Sequence, residues 1–331
     1  MGRRVGWEAG VQMDFSLTIG GREVGLLAED KIRVITKRKG VGKMTMSLVN
    51  REELSYHEGD AAILTVGGTP VFSGRVTKKR RNKKQIIETT VHDQILNLTR
   101  NRETYVYENK TADEVVGMIA ADFGLSVGSL ASTGYKIPLR IEDIQALIDI
   151  IYTALDLTVI NTGNLFVLYD DLGSLTLKNI RDMRINKLVS SEETLIDYDY
   201  TTDISTNTYN KIKLVRDNEY TARRDTFIEK DSGNMDRWGH FQQHEKVGDN
   251  LTEGQVISLV QRKLALLNRV RRRLRLTEQY ADPSIRAGNS IMVEIPELGD
   301  ISLSHWLVVE RCTHIISNSQ HSMELDMSGD F

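Results

Sequence analysis

The chain has 331 residues and only one cysteine, Cys312, so no disulfide can form within it and no cysteine cluster can hold zinc. That usage fits a reducing compartment. Charge of either sign is not in excess: 43 Lys and Arg stand against 46 Asp and Glu, a net of −3. This argues against a dedicated nucleic-acid protein and requires any basic surface to be local. No apolar run approaches the ~18 residues of a membrane span. The opening MGRRVGWEAG has basic residues with no apolar stretch behind them, unlike a signal peptide, and Gly6 stands where a myristoylation signal wants Ser or Thr. The expected product is soluble, is made in the cytoplasm and has no membrane partner. Four prolines, and 25 glycines spread through turns, leave no low-complexity linker.

The patterns that carry chemistry are incomplete. KGVGKMT invites a phosphate-loop reading, but Lys37 occupies the place of the first Gly and Met44 follows Gly42-Lys43 where Ser or Thr is needed. A hairpin turn is the expectation there. HFQQH sets His240 and His244 four apart, yet Phe241 replaces the metalloprotease Glu, and Gly239 disfavours a long helix. His314 and His321 could be grouped with Cys312 and an Asp, but no Gly-x-Ser-x-Gly elbow accompanies them. DYDYTTD lacks the Gly and terminal Glu of a calcium loop and reads as a polar strand face. No catalytic, metal or cofactor residue is assigned; the expectation is a non-enzyme without a cofactor.

What the chain does have is strands. DFSLTI, KIRVIT, KMTMSLVN, AAILTV, PVFSGRVTK and QIIETTVHD are short, β-branched and separated by Gly turns, the pattern of a barrel or sandwich. Near Asn97 the character changes. Thr111 and Glu114 have the spacing of a capping box, followed by Val115, Ile119 and Phe123 on one helical face. A second helix is expected over about 141–155, then a hairpin turning at Thr162-Gly163. From Leu195 strands resume, interrupted by one helix over about 252–268 whose capping box is Thr252 and Gln255. The expected fold is α+β, mainly β, with barrel-like blocks at 1–98 and 191–331 flanking a small α/β domain at 99–190. Duplication of the flanking blocks is suspected from their similar length and class, without visible sequence repetition.

Two basic runs stand out. Lys78, Lys79, Arg80, Arg81, Lys83 and Lys84 fall between two strands, at the expected tip of a hairpin. NRVRRRLRL carries Arg269, Arg271, Arg272, Arg273 and Arg275. As a strand it turns Arg271, Arg273 and Arg275 to one side and Val270, Leu274 and Leu276 to the other, with Arg272 out of step. A guanidinium ladder suits protein carboxylates as well as phosphates. The aromatic interleaving of single-strand binders is absent. A nucleic-acid module using strand 269–275 stays open as an alternative, and a cell-wall hydrolase as a weaker one.

The segments TYNKIKLVRDNE, MDRWGHFQQHEKV and IRAGNSIMVEIPELGD lead into HWLVVERCTHIISNSQHSMELDM, and VFSGRVTKKRRNKKQIIETTVHDQILNL lies upstream. Together they resemble the baseplate hub proteins of contractile phage tails, the PBSX-type prophage tail proteins and their tailocin relatives. The resemblance covers nearly the whole chain except the first ~20 residues. It implies two barrels similar to the tail-tube subunit with an α/β domain between them. It further implies a homotrimeric ring that matches the hexameric tube to a trimeric spike, with tube, spike and other baseplate proteins as partners. DNA would be only cargo of the lumen, and the location would be the virion or tail-like particle. Within such a ring, Arg271, Arg273 and Arg275 are expected to face acidic surface or the lumen. The segment with Glu192, Glu193, Asp197, Asp199 and Asp203 is the candidate counterpart on a neighbouring subunit.

Overall fold

The computed structural model describes residues 14–25, 31–49, 55–190, 195–218, 223–248, 251–278, 281–298 and 301–329. Seven strands build the first barrel: β1 (Phe15–Ile19), β2 (Arg22–Glu23), β3 (Ile32–Lys37), β4 (Lys43–Val49), β5 (Ala61–Val66), β6 (Thr69–Arg81) and β7 (Ile86–His92). They run in the order β3-β4-β7-β6-β5-β1-β2. Period-two alternation fills the core: Met44, Met46 and Leu48 from β4 meet Leu64 from β5 and Ile87 and Val91 from β7. The tight turns are Gly20-Gly21 and Gly67-Gly68, all four at positive φ, as two-residue hairpins require.

The α/β domain follows: α1 (Ile95–Arg100), β8 (Arg102–Lys110), α2 (Ala112–Asp122), β9 (Val127–Leu130), β10 (Ile137–Ala146), α3 (Leu147–Thr162), β11 (Phe166–Asp171) and β12 (Ser174–Asn179). The capping box on α2 is present; the Thr111 N–H donates to Glu114 Oε2 at 2.8 Å. The second helix and the hairpin after it depart from expectation. Residues 137–146 are a strand paired with β8, and the helix runs from Leu147 through Thr162. Gly163, at φ 73°, is a left-handed helix cap and not a hairpin turn. The β-branched run before it stays helical because Ile151, Ala154, Leu155 and Thr158 are buried, and packing overrides local preference.

The remaining elements are β13 (Arg184–Ser190), β14 (Leu195–Asp203), β15 (Lys211–Asn218), β16 (Arg223–Lys230), α4 (Ser232–Trp238), β17 (Gln242–Lys246), α5 (Glu253–Leu267), β18 (Arg271–Glu278), β19 (Ser290–Leu298), β20 (Ile301–Ile316) and β21 (His321–Ser328). The second barrel takes β13-β19-β20-β21-β18-β14. The expectation of one inserted helix is corrected here. β15, β16 and β17 form a separate three-stranded sheet, and α5 packs on it through Val256 and Val260 against Ile212 and Leu214. The insertion is thus a small layered unit between β14 and β18. Its helix starts at the Thr252–Gln255 capping box.

The two barrels are not separate beads. β20 is 16 residues long, and its C-terminal half pairs with β3 from Arg311↔Lys37 to Ile316↔Ile32. One continuous 13-stranded sheet therefore runs through both barrels. Ile316 lies in the first barrel's core. Among the described residues no helix is long and apolar enough to cross a membrane.

Candidate assembly surfaces

The arginine strand is β18. Leu274 and Leu276 are buried in the second barrel, while Arg273 and Arg275 are exposed and Arg271 half-buried. Each buried leucine contributes roughly 1.5–3 kcal/mol, which fixes the face the arginines must take. The strand's neighbours supply counter-charge within the same chain. Register sets Arg271 opposite Asp203 and Arg275 opposite Asp199 on β14, with Asp197 opposite Thr277. On the other side Arg275 Nε donates to Asp326 Oδ1 at 2.8 Å. That hydrogen bond and charge raise the Arg275 pKa. Arg271 Nε and Nη2 donate to the Asn207 carbonyl at 3.0 and 2.7 Å. Burial, with Arg269 and Arg273 beside it, lowers the Arg271 pKa. Arg272 Nε donates to the Tyr200 hydroxyl at 3.0 Å.

Part of the acidic segment expected as a counterpart on a neighbouring subunit already neighbours the arginines within the chain. Asp199 and Asp203 lie beside the arginines in their own sheet, and Glu192 and Glu193 fall outside the described residues. Long-range strand register decides this, and sequence spacing does not report it. Two adjoining grooves of about 740 and 600 Å³ flank the ladder, lined by Arg38, Arg271, Arg272 and Glu310, with Arg273, Arg275 and Asp326 in the second.

The second basic run is the far end of the β6–β7 hairpin, as expected. Asn82 Oδ1 accepts from the N–H groups of Lys84 and Ile86 at 2.9 and 3.2 Å, and Gln85 takes φ 60° to close the turn. Lys79 is an anchor: its ammonium donates to the Tyr56 carbonyl at 2.7 Å and sits 5.0 Å from the Tyr56 ring centroid. Arg80 lies 3.3 Å from Glu88. Lys78, Arg81, Lys83 and Lys84 are exposed.

A third region was not singled out by any motif. Asp93, where the first barrel ends, accepts from the Gly42 N–H at 2.8 Å and the Ile95 N–H at 3.1 Å. Asp170 on β11 accepts from Gln94 N–H at 3.2 Å and Gly173 N–H at 2.6 Å. Arg286, entering β19, stacks 4.0 Å from the Tyr169 ring centroid and donates Nη2 to the Asp170 carbonyl at 2.9 Å. Ala287 N–H donates to Thr36 Oγ1 at 2.9 Å. Both barrels and the α/β domain meet here around a cavity of about 140 Å³. The Gly42 of KGVGK serves this joint: a Cβ there would lie 2.2 Å from Asp93 Oδ2. Burial, reinforced by the charge of Asp170, pushes the Asp93 carboxyl up to about 8.

Beside the joint, His314 Nε2 lies 2.7 Å from the Ile285 carbonyl, which can only accept, so its Nδ1 accepts from His321 Nε2 at 2.9 Å. Cys312 Sγ is 3.3 Å from His314 Nε2, but complete burial pushes the thiol pKa well above its ordinary value, the opposite of an activated nucleophile. His240 precedes β17 and His244 lies within it, both exposed, so no helix pairs them as metal ligands. Among the described residues no group of three or more His, Cys, Asp or Glu stands close enough to share a metal.

Comparison with known proteins gives consistent results. The YQBQ-like family matches residues 32–328. Uncharacterized protein YqbQ of Bacillus subtilis (strain 168) is 30% identical over 277 residues, covering 82% of both chains. The phage-like element PBSX protein XkdQ of the same strain is 27% identical over 274 residues, again 82% of both. Among solved structures, the 43 kDa tail protein of prophage MuSo2 from Shewanella oneidensis superposes with a TM-score of 0.71 over 95% of this chain and 97% of that one, at 13% identity. At that identity the shared property is the fold.

Proposed function

This chain belongs to the YQBQ-like family, and from that premise we propose that it is a structural protein of a phage tail or tail-like particle, the hub of its baseplate. Its relative XkdQ is a protein of the phage-like element PBSX, and a prophage tail protein shares its fold. In this reading three copies form a ring. Six barrels then offer pseudo-sixfold symmetry to a hexameric tube, while the true threefold axis faces a trimeric spike. The work is symmetry matching, and no covalent bond is made or broken.

The observation that carries the reading is the β3–β20 pairing. Two barrels joined through one sheet are held at a fixed angle, which is what a ring alternating two kinds of barrel requires. The joint of Asp93, Asp170 and Arg286 holds the α/β domain against that pair. The arginine strand and the fingertip of the β6–β7 hairpin are the surfaces assigned to neighbouring proteins or the lumen. A nucleic-acid reading is weakened by the carboxylates interleaved with the ladder.

The test is complementation, read by negative-stain electron microscopy. Cells lacking the chain should make no tubes of native length, and the wild-type chain should restore them. A chain with Arg271→Glu, Arg273→Glu and Arg275→Glu should fail to restore them. Because Arg271 is half-buried and bonded to Asn207, and glutamates would stand beside Asp199, Asp203 and Asp326, the melting curve of the purified variant is read alongside to show that it is folded. Native tubes without the chain contradict the hub. Native tubes with the triple variant contradict only the role given to the arginines.

A further inference from the structure

The two barrels repeat one pairing order. The first runs β3-β4-β7-β6-β5 and the second β14-β18-β21-β20-β19, with every neighbouring pair antiparallel. The correspondence reaches single residues. A bulge interrupts β6 against β7 between Val76 and Lys78, and another interrupts β20 against β21 between Val309 and Arg311. Beside the first, the Val76 N–H donates to the Asp60 carbonyl at 2.9 Å, and the Val76 carbonyl accepts from the Gly59 N–H at 2.8 Å. Val309 makes the same two bonds with Asn289 and Gly288, both at 2.8 Å. Gly59 and Gly288 take φ 96° and 95°. One row across the first barrel reads Arg33, Thr45, Thr90, Lys78. The matching row across the second reads Asp199, Arg275, Asp326, Arg311. Lys78 therefore corresponds to Arg311 and Arg33 to Asp199. Four residues further along the same two strands, Lys37 corresponds to Asp203.

The repeat is unfinished at one contact. The outer half of β20 is covered by β3, with Arg311 opposite Lys37 and Thr313 opposite Ile35. The equivalent half of β6, residues 78–81, pairs with β7 on one side and has no strand on its other side among the described residues. β14, the equivalent of β3, pairs with β18 and with no other strand among the described residues. The chain thus makes this contact once and carries both halves of a second one unpaired. Open strand edges of this kind are templates for pairing with another chain.

We infer that the outer half of β6 in one copy pairs with the free edge of β14 in the next, repeating between chains the β20–β3 pairing made within one. The inference rests on the hub reading above and names the contact that closes its ring. Such a contact is heterologous, and it closes when its rotation divides a full turn. The intrachain register carries over: Lys78 stands opposite the next copy's Asp203 and Arg80 opposite its Thr201, with Asp199 and Asp203 diagonal to Arg80. Within the chain Arg311 faces Lys37, so charge does not drive that pairing. Between chains the same geometry brings lysine and arginine onto aspartates, which steers copies together and fixes register. The acidic row of β14 then lies between Arg271, Arg273 and Arg275 of its own β18 and the basic half-strand of its neighbour.

Disulfide trapping in assembled tail particles tests it. The Arg38 N–H donates to the Glu310 carbonyl at 2.9 Å, which makes Lys37–Arg311 a non-hydrogen-bonded pair, the closer kind, with Cα atoms about 4.5 Å apart. The equivalent Lys78–Asp203 pair is therefore within disulfide reach. The background is clean, because the single native cysteine is buried. Two full-length double variants replace the wild-type chain in cells, Lys78→Cys with Asp203→Cys and Arg80→Cys with Thr201→Cys. Particles are purified, oxidised and run on non-reducing gels. The inference expects dimer and trimer bands from at least one double variant, nothing larger than a trimer, and no such bands from the four single variants. Co-expressed Lys78→Cys and Asp203→Cys chains should give dimers only, because each link needs one chain of each kind. Carbodiimide coupling of wild-type particles repeats the test without a substitution, and should join the Lys78 and Asp203 peptides in a dimer band. Particles that contain the chain but yield none of these links overturn the contact and leave the hub reading standing. Links from these positions to a different tail protein overturn it, and so do self-dimers of a single variant, which indicate a twofold contact. Absence of the wild-type chain from purified particles defeats the hub reading itself, and the ring contact with it.

Discussion

Gly74→Ala should destabilise the chain by about 3 kcal/mol or more, at the upper end of overpacking penalties. Gly74 lies inside β6, opposite Ala62 of β5. A Cβ there would sit 2.3 Å from the His92 carbonyl oxygen and 2.7 Å from the His92 carbonyl carbon. Those are backbone atoms of β7 and cannot rotate away. Either the β6–β7 pairing opens or His92 shifts, and the next residue is Asp93 of the three-way joint. The damage should therefore reach beyond the first barrel. Chemical denaturation would show a lower midpoint with the whole transition displaced. Gly254→Ala is the control: the site is on α5, has open space around it and should be neutral or slightly stabilising. Equal midpoints for Gly74→Ala and the wild type would show that the strands part more easily than this packing implies.

The second large effect is in the pH dependence of stability. Asp93 keeps its proton in the folded chain up to about pH 8, whereas the unfolded carboxyl releases it near 3.8. Between those values folding takes up a proton, so stability from this group falls as pH rises and stops falling above about 8. His314 and His321 act in the opposite sense. Burial lowers both, His321 to about 4, so below 6.5 the unfolded imidazoles bind protons that the folded ones refuse. Acidification from 6.5 towards 4 therefore costs stability through the histidines. Alkalinisation from 6.5 to 8 costs it through Asp93, at a limiting slope of about 1.4 kcal/mol per pH unit. The melting temperature should peak near pH 6.5. Asp93→Asn keeps a carbonyl acceptor for one backbone N–H and does not titrate, so its profile should be flat from 6.5 to 8 while its acid limb remains. Parallel alkaline limbs in variant and wild type would mean that Asp93 is already ionised in the folded chain.

Local features were legible in the sequence; non-local ones were not. Both capping boxes hold, because Thr111–Glu114 and Thr252–Gln255 are short-range bonds set by spacing alone. The alternation of β18 holds because strand period and burial of Leu274 and Leu276 act on adjacent residues. α3 was misplaced because Thr162-Gly163 serves a helix end as readily as a hairpin turn, and only the buried stripe through Thr158 decides. The insertion at β15–β17 was hidden for a related reason. Its strands have the composition of barrel strands, and which sheet they join depends on α5 covering them. The sharing of β20 between barrels could be suspected only from its length of 16 residues. The joint was invisible because Asp93, Asp170 and Arg286 are brought together across most of the chain, and no spacing encodes that.

The central claim is a threefold ring at the end of the tube. Cryo-electron microscopy of an intact tail particle, resolved well enough to trace this chain, tests it directly. The account predicts three copies per tail end, with the barrels of residues 15–92 and 184–328 alternating around the lumen against the first ring of tube subunits. Six copies, or a chain lying outside the axis with neither barrel on the lumen, would contradict it.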